Sequence, residues 1–265
     1  MKIAAIQMVS TPDVDRNVVT AQELMQQAKQ QGAELIALPE YWPIMGLRDT
    51  DKLSLAEEDG AGPLQSFLAD QARELNVTLI GGSIPLRSAD DNKIFNACCV
   101  YAPTGERLVR YDKIHLFGFN QGQESYQESK TIQAGNQVSS FESEFGRVGL
   151  GICYDLRFPE LFRQMRPCNL IVIPAAFTYT TGKVHWEILL RARAIENQCY
   201  VLASAQGGLH ENGRRTWGHS MLIDPWGKVV AVLDEGNGVV IGEFDLQNIA
   251  QVRQNLPALD HIKLL

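Results

Sequence analysis

The sequence predicts an α/β fold, an α-β-β-α sandwich with an internal pseudo-two-fold repeat. Short β-type runs alternate with amphipathic stretches from end to end, and the order of these elements is used twice. The two halves also share a turn, VYAPTGERLV in the first matching LIDPWGKVVA in the second. Two β-α-β-α-β-hairpin halves give two sheets, each covered by helices on its outer face.

KIAAIQM (residues 2–8) reads as the first strand. Asn17 to Gln30 then carries a helical pattern through Val18, Ala21, Leu24, Met25 and Ala28, and Gly32 punctuates its end. ELIALPE (34–40) is the second strand. Pro63 to Leu75 is the second helix, with proline in the first turn where a missing N–H costs nothing. NVTLIGGS (76–83) is the third strand, and FNACCVYAPTGERLVRYDK (95–113) is a hairpin turning at Pro103-Thr104-Gly105.

The second half repeats this order. RVGLGICYD (147–155) is a strand, FPELFRQM (158–165) a helix, and NLIVIPAAF (169–177) a strand that meets a proline, as LIALPE does. Lys183 to Gln198 is a long helix, CYVLASAQ (199–206) a strand, and GHSMLIDPWGKVVAVL (218–233) a hairpin turning at Asp224-Pro225-Trp226-Gly227. No low-complexity linker separates the halves, so residues 1–265 are expected to form a single domain. The tail from roughly 250 onward is expected to pack on a partner subunit or a neighbouring layer.

Composition narrows the function classes. With 265 residues, 45% hydrophobic and 21% charged, the chain can bury a core that needs no metal or disulfide staple. The net charge is −7 with no basic run, which argues against nucleic acid and anionic membranes as partners. The apolar run at the N-terminus is too short for a signal peptide, and no stretch approaches the ~20 apolar residues of a membrane span. A cytoplasmic protein is expected. The five cysteines include no C-x-x-C pair, so most should be reduced core residues. There is no H-E-x-x-H and no Walker loop, and GLGICY lacks the third glycine of a dinucleotide fingerprint. Neither a metal nor a cofactor is expected.

Three residues stand where chemistry could be done. Cys153 lies at a switch from the apolar run VGLGI to YDLRFPELF, where N–H groups point outward and a helix dipole would lower a thiol pKa. Most strand-end cysteines are merely buried, but Asp155, Arg157 and Glu160 are unusual company for one of those. Glu40 emerges at the end of ELIALPE, where open α/β sheets place ligands. Its neighbours Tyr41 and Trp42 suggest a partly desolvated carboxylate with a raised pKa, usable as a general base. Lys113 follows the first hairpin and precedes the apolar Ile114, Leu116, Phe117 and Phe119. An ammonium drawn inward there could stabilise an oxyanion or a thiolate. A cysteine–histidine pair using His185 or His219 stays open on spacing alone.

LPEYW, YDKIHLF and GICYDLRFPE together resemble the nitrilase superfamily, and the resemblance runs nearly end to end. It implies the same sandwich, usually as a homodimer or higher homo-oligomer, and a thiol amidase without cofactor. In that reading Glu40 takes the thiol proton and Cys153 attacks the amide carbonyl. Lys113 and the backbone N–H of Tyr154 hold the oxyanion, and water later hydrolyses the thioester. A second glutamate of the family matches Glu128 best, with Glu124 as the fallback.

CYDLRFPE, HWEILLRARAIENQCYV and GHSMLIDPWGKVV are similar to the Nit branch. That implies a small carboxylate-bearing amide as substrate, first deaminated glutathione and alternatively 2-oxoglutaramate. Another family amidase, carbamoylase or nitrilase activity, or a catalytically silent binding partner, is the remaining alternative. Arg157 is the expected fork for the carboxylate, Thr181 a neutral donor, and His185, Phe177 and Tyr41 pocket-lining residues.

Overall fold

In the computed structural model, residues 1–121 and 124–264 are described, apart from the side chains of Gln121 and Glu124. The Glu124 alternative therefore lies outside the described side chains. The first half contains β1 (Lys2–Gln7), α1 (Val14–Gln30), β2 (Leu35–Ala37), α2 (Pro63–Leu75), β3 (Thr78–Ile80), β4 (Ile84–Arg87), β5 (Ile94–Tyr101) and β6 (Arg107–Asp112). A ribbon of β7 (Gly118–Gln121) and β8 (Glu124–Gln127) follows. The second half contains β9 (Ser140–Ser143), β10 (Gly146–Leu150), α3 (Pro159–Gln164), β11 (Leu170–Ala175), α4 (Tyr179–Asn197) and β12 (Tyr200–Ala205). It continues through β13 (Gly207–Leu209), β14 (Arg215–Trp217), β15 (Ser220–Ile223), β16 (Val229–Leu233), β17 (Gly238–Glu243) and α5 (Leu246–Asn255).

The two sheets share one plan. In the first, β1, β2 and β3 run parallel, β5 and β6 add an antiparallel hairpin beside β3, and β17 closes the other edge antiparallel to β1. In the second, β10, β11 and β12 run parallel, β15 and β16 add the hairpin, and β9 closes the edge antiparallel to β10. The pseudo-two-fold repeat read from the sequence is this shared order. The strand β4 pairs with the first half of β5, beside β3.

Period-two alternation decides which side chains meet. Ile3 and Ala5 of β1 point into the core between the sheets, while Ala4 and Ile6 point outward against the helical layer. Adjacent Cys98 and Cys99 divide the same way, one to each core, and all five cysteines are free and buried. The sheets face each other through β1 and β12, where Ser204 Oγ donates to Ile6 O at 2.5 Å.

Some elements begin or lie where periodicity is silent. Helix α1 starts at Val14 because Asp13 caps it, its carboxylate accepting from Arg16 N at 3.1 Å. Helix α4 starts at Tyr179, ahead of the expected Lys183. Residues 250–255 form the second half of α5 and dock on the chain's own second half, the neighbouring layer of the two alternatives. Val252 is buried there, and Arg253 Nε donates to Gln198 O at 3.2 Å. Among the described residues, no helix is long and apolar enough to cross a membrane.

Candidate active site

The loops after β2, β6 and β10 bring Glu40, Lys113 and Cys153 together; Glu40 and Cys153 line one cavity, and Lys113 lies buried against Glu40. Each loop is held by a local device. Glu40 sits in a turn clamped from the end of β3: Tyr41 N donates to Ser83 Oγ at 3.0 Å, and Trp42 Nε1 donates to Gly81 O at 2.9 Å. Gly82 adopts φ +62° there, and a Cβ would stand 2.3 Å from Pro39 O, so only glycine fits. Tyr41 has φ 55° and Cys153 φ 49°, both in the left-handed region that costs a side-chain-bearing residue about 1–3 kcal/mol.

The Cys153 elbow is held by Asp155. This fully buried carboxylate accepts from Ile152 N at 2.8 Å, Tyr111 OH at 2.7 Å and His115 N at 3.0 Å, and His115 Nδ1 lies 2.7 Å away. Asp155 is therefore occupied inside the fold and does not pair with Arg157. Cys153 opens a short 3₁₀ turn, Cys153–Arg157, so the Tyr154 N–H lies in a first turn, where amides have no partner within the helix.

Lys113 lies between two carboxylates with its side chain wholly buried. Its Nζ donates to Glu40 Oε1 at 2.8 Å and to Glu128 at 3.0 and 2.8 Å. Glu40 Oε1 also accepts from Asn96 Nδ2, and its Oε2 from Ala176 N, both at 2.8 Å. Glu128 accepts further from Tyr41 OH at 2.8 Å and Phe117 N at 2.7 Å. Cys153 lines the same cavity as Glu40, close enough for the carboxylate charge to act on the thiol.

Electrostatics follow from counting charges. Two carboxylates and one ammonium leave the cluster at −1 before the thiol ionises. Burial raises the Glu40 pKa, and the Glu128 charge adds to that against the pull of Lys113. Burial would raise Glu128 too, but Lys113, Phe117 N–H and Tyr41 OH outweigh it and hold Glu128 below the usual carboxylate range. Burial works against the Lys113 ammonium, yet Glu128 and Glu40 overcome it and push its pKa well up. Burial and the Glu40 charge likewise push the Cys153 thiol well above its ordinary pKa. The expected thiolate-favouring elbow is thus corrected. The turn is too short to supply much dipole, and the adjacent carboxylate outweighs Lys113. Cys153 rests as a thiol beside a base.

The cavity takes in Glu40, Tyr41, Glu128 and Cys153, with Lys52, Asp49, Arg214 and Arg215 around it. A second small pocket beyond Cys153 is lined by Tyr154, Phe177 and Thr181. Arg157 and His185 line neither. The guanidinium of Arg157 lies over the rings of Tyr154 and Phe177, 5.7 and 5.1 Å from their centroids, and 3.3 Å from His185 Nδ1. No histidine lines either pocket among the described residues; His219 Nδ1 lies 2.8 Å from Trp217 O. The cysteine–histidine alternative has no geometric support. Sequence reasoning missed Asn96, Ala176, Lys52, Arg214 and Arg215, whose roles depend on long-range contacts.

The carbon-nitrogen hydrolase family model matches residues 2–254. The chain belongs to the carbon-nitrogen hydrolase family. This hydrolase is 43% identical over 264 residues to a deaminated glutathione amidase of Synechocystis, covering 97% of this chain and 96% of that one. It is 38% identical over 260 residues to human omega-amidase NIT2, covering 97% and 92%. Among solved structures, the C. elegans NitFhit protein is 36% identical with a TM-score of 0.92, covering 99% of this hydrolase and 65% of that chain. Nit3 of Saccharomyces cerevisiae, a member of branch 10 of the nitrilase superfamily, is 30% identical with a TM-score of 0.87, covering 97% and 94%. The hydrolase is thus a Nit-branch member of the nitrilase superfamily.

Proposed function

We propose that the chain is an amidase that cleaves a small carboxylate-bearing amide through a Cys153 thioester. The arrangement that carries this reading is Lys113 bridging Glu40 and Glu128 beside the Cys153 thiol. As Cys153 Sγ attacks the amide carbonyl, its proton passes to Glu40, and the negative charge leaves that carboxylate for the carbonyl oxygen. The cluster keeps its total charge through the step, so no extra charge is desolvated. Lys113, loosened from a now neutral Glu40, and the Tyr154 N–H stabilise the oxyanion. Glu40 then gives its proton to the leaving nitrogen. In the second half-reaction it takes a proton from water, which attacks the thioester and frees the acid. Glu128 holds Lys113 in place throughout. No metal or cofactor enters any step.

Deaminated glutathione is the proposed substrate, supported by the 43% identity to the Synechocystis enzyme. The relatives named omega-amidase favour 2-oxoglutaramate as a second reading. The two substrates share the 2-oxo acyl half and differ in the leaving group. Purified protein, assayed for Cys-Gly release from the first and ammonia release from the second with Cys153→Ala as blank, separates them. Turnover of neither would sink the substrate proposal. A homodimer in the cytoplasm is part of the same proposal. Its support is the outer face of α4, where Val184, Ile188 and Ile195 are exposed, and sedimentation of the purified protein tests it.

A further inference from the structure

The cavity carries basic side chains that the thioester chemistry does not use. Three cations line it: Lys52, Arg214 and Arg215. The two arginines are already engaged. Arg214 pairs with Asp49 and lies 5.0 Å from the Tyr126 ring centroid. Arg215 pairs with Glu235 at 2.7 Å and lies 3.9 Å from the Tyr179 ring centroid.

Lys52 is different. It sits in the 3₁₀ turn Asp51–Leu55, half-buried, and has neither hydrogen bond nor ion pair among the described residues. Its Nζ lies 5.5 Å from the centroid of the Tyr41 ring. A half-buried ammonium facing a ring and a cavity has N–H donors with no protein acceptor among the described residues, a deficit that an anion in the cavity would meet. Burial lowers its pKa, in keeping with that deficit.

Tyr41 also fixes how far Lys52 stands from the reaction. The tyrosine hydroxyl donates to Glu128, and its backbone follows Glu40 directly. Lys52 is therefore one aromatic ring away from the catalytic carboxylates, on the cavity side. A short acyl chain attacked at its amide end by Cys153 would place a terminal carboxylate within this reach. Arg214 and Arg215 are each paired with an acid, so Lys52 is the cation of this lining without an ion pair among the described residues, suited to binding a carboxylate.

Resting on the amidase reading above, we infer that Lys52 is the specificity-determining residue that binds the carboxylate at the acyl end of the substrate. Arg157, stacked outside the cavity lining, does not fill this role. Calorimetric binding to full-length Cys153→Ala protein tests the assignment without turnover, using 2-oxoglutaramate and the uncharged pentanamide as probes. The expected result is that adding Lys52→Met weakens 2-oxoglutaramate binding about 10- to 100-fold, the size of a lost hydrogen bond to a charged group. Lys52→Arg should retain most of the affinity, and the preference for 2-oxoglutaramate over pentanamide should collapse only in the methionine variant.

Unchanged affinity in Lys52→Met, an equal loss for both probes, or no binding to the Lys52 parent would each overturn the inference. Turnover by wild type that ignores Lys52 would leave the amidase reading standing without this residue. Lys52-dependent binding with no turnover would do the reverse.

Discussion

After β2 and β6 of the first sheet the chain places Glu40 and Lys113, both buried; after the matching β11 and β16 of the second sheet it places Ala176 and the exposed Asp234. Three residues past β10 stands Cys153, and three residues past β1 stands Ser10. Ser10 is equally buried, yet its Oγ donates to Trp42 O at 2.9 Å and serves only to hold the turn bearing Glu40. The scaffold is doubled and the chemistry is not. In the proposed mechanism the first half supplies the acid–base groups and the second supplies the nucleophile and the Ala176 N–H. Each half also uses the positions left vacant by the other to brace the seam. Gln206, at the end of β12, accepts from Ser10 N at 3.0 Å and donates to Glu40 O at 3.1 Å.

The hardest test of that division removes the second half's contribution. Cys153→Ala should lower kcat by about 10⁴-fold or more while the melting temperature stays close to wild type. Serine at Ser10 should offer no substitute nucleophile, so mass spectrometry should detect no acyl-enzyme in that variant. Removing the base comes next: Glu40→Gln should cost about 10²- to 10⁴-fold in kcat/KM. In wild type, activity needs ionised Glu40, so it rises with pH through the Glu40 pKa and is lost as pH falls below it. Because that pKa is raised, the acid limb of the pH–rate profile should lie above the ordinary carboxylate range.

Glu128→Gln sharpens the charge argument. It takes the cluster from −1 to 0, and the Glu128 charge is among the causes raising both Glu40 and Cys153. The acid limb should therefore move to lower pH even as kcat drops about 10- to 100-fold from the loosened Lys113, the size expected of one hydrogen bond to a charged group. A limb that stays put would show that Glu128 acts only as a tether. The mildest expected effect is at the seam. Gln206→Leu strands Ser10 N–H and should cost about 1–3 kcal/mol of stability, read by denaturant titration, with a smaller loss of kcat.

Local signals made the larger features legible in the sequence. The apolar runs around Ile3, Ile36, Leu150 and Val172 are buried on both faces, as parallel strands are, and reading them in order gave both halves of the sandwich. Glu40 and Cys153 stood out because each ends an apolar run in polar or aromatic company, and Lys113 because it precedes one. What escaped was whatever depends on contact between distant residues. Asn96 reaches Glu40 across 56 positions and Ala176 across 136. The short strands β4 and β9 form only by pairing with neighbours already in place, and their sequences hold too few residues to show a period. The direction of the thiol pKa was misjudged for the same reason. It is a sum over charges from both halves, and the residues flanking Cys153 report only one part of it.

The pairing of β17 with β1 has a consequence for synthesis. Residues 238–243 complete the edge of the first sheet beside β1, and Phe244 N donates back to Met1 O at 2.8 Å. A nascent chain emerging from the ribosome can assemble β1, β2 and β3 early, but the open side of β1 stays unpaired until β17 has been made. During that interval the exposed edge is a template for any extended segment nearby. Emergence of β17, rather than appearance of Cys153, is thus the event that seals the first sheet.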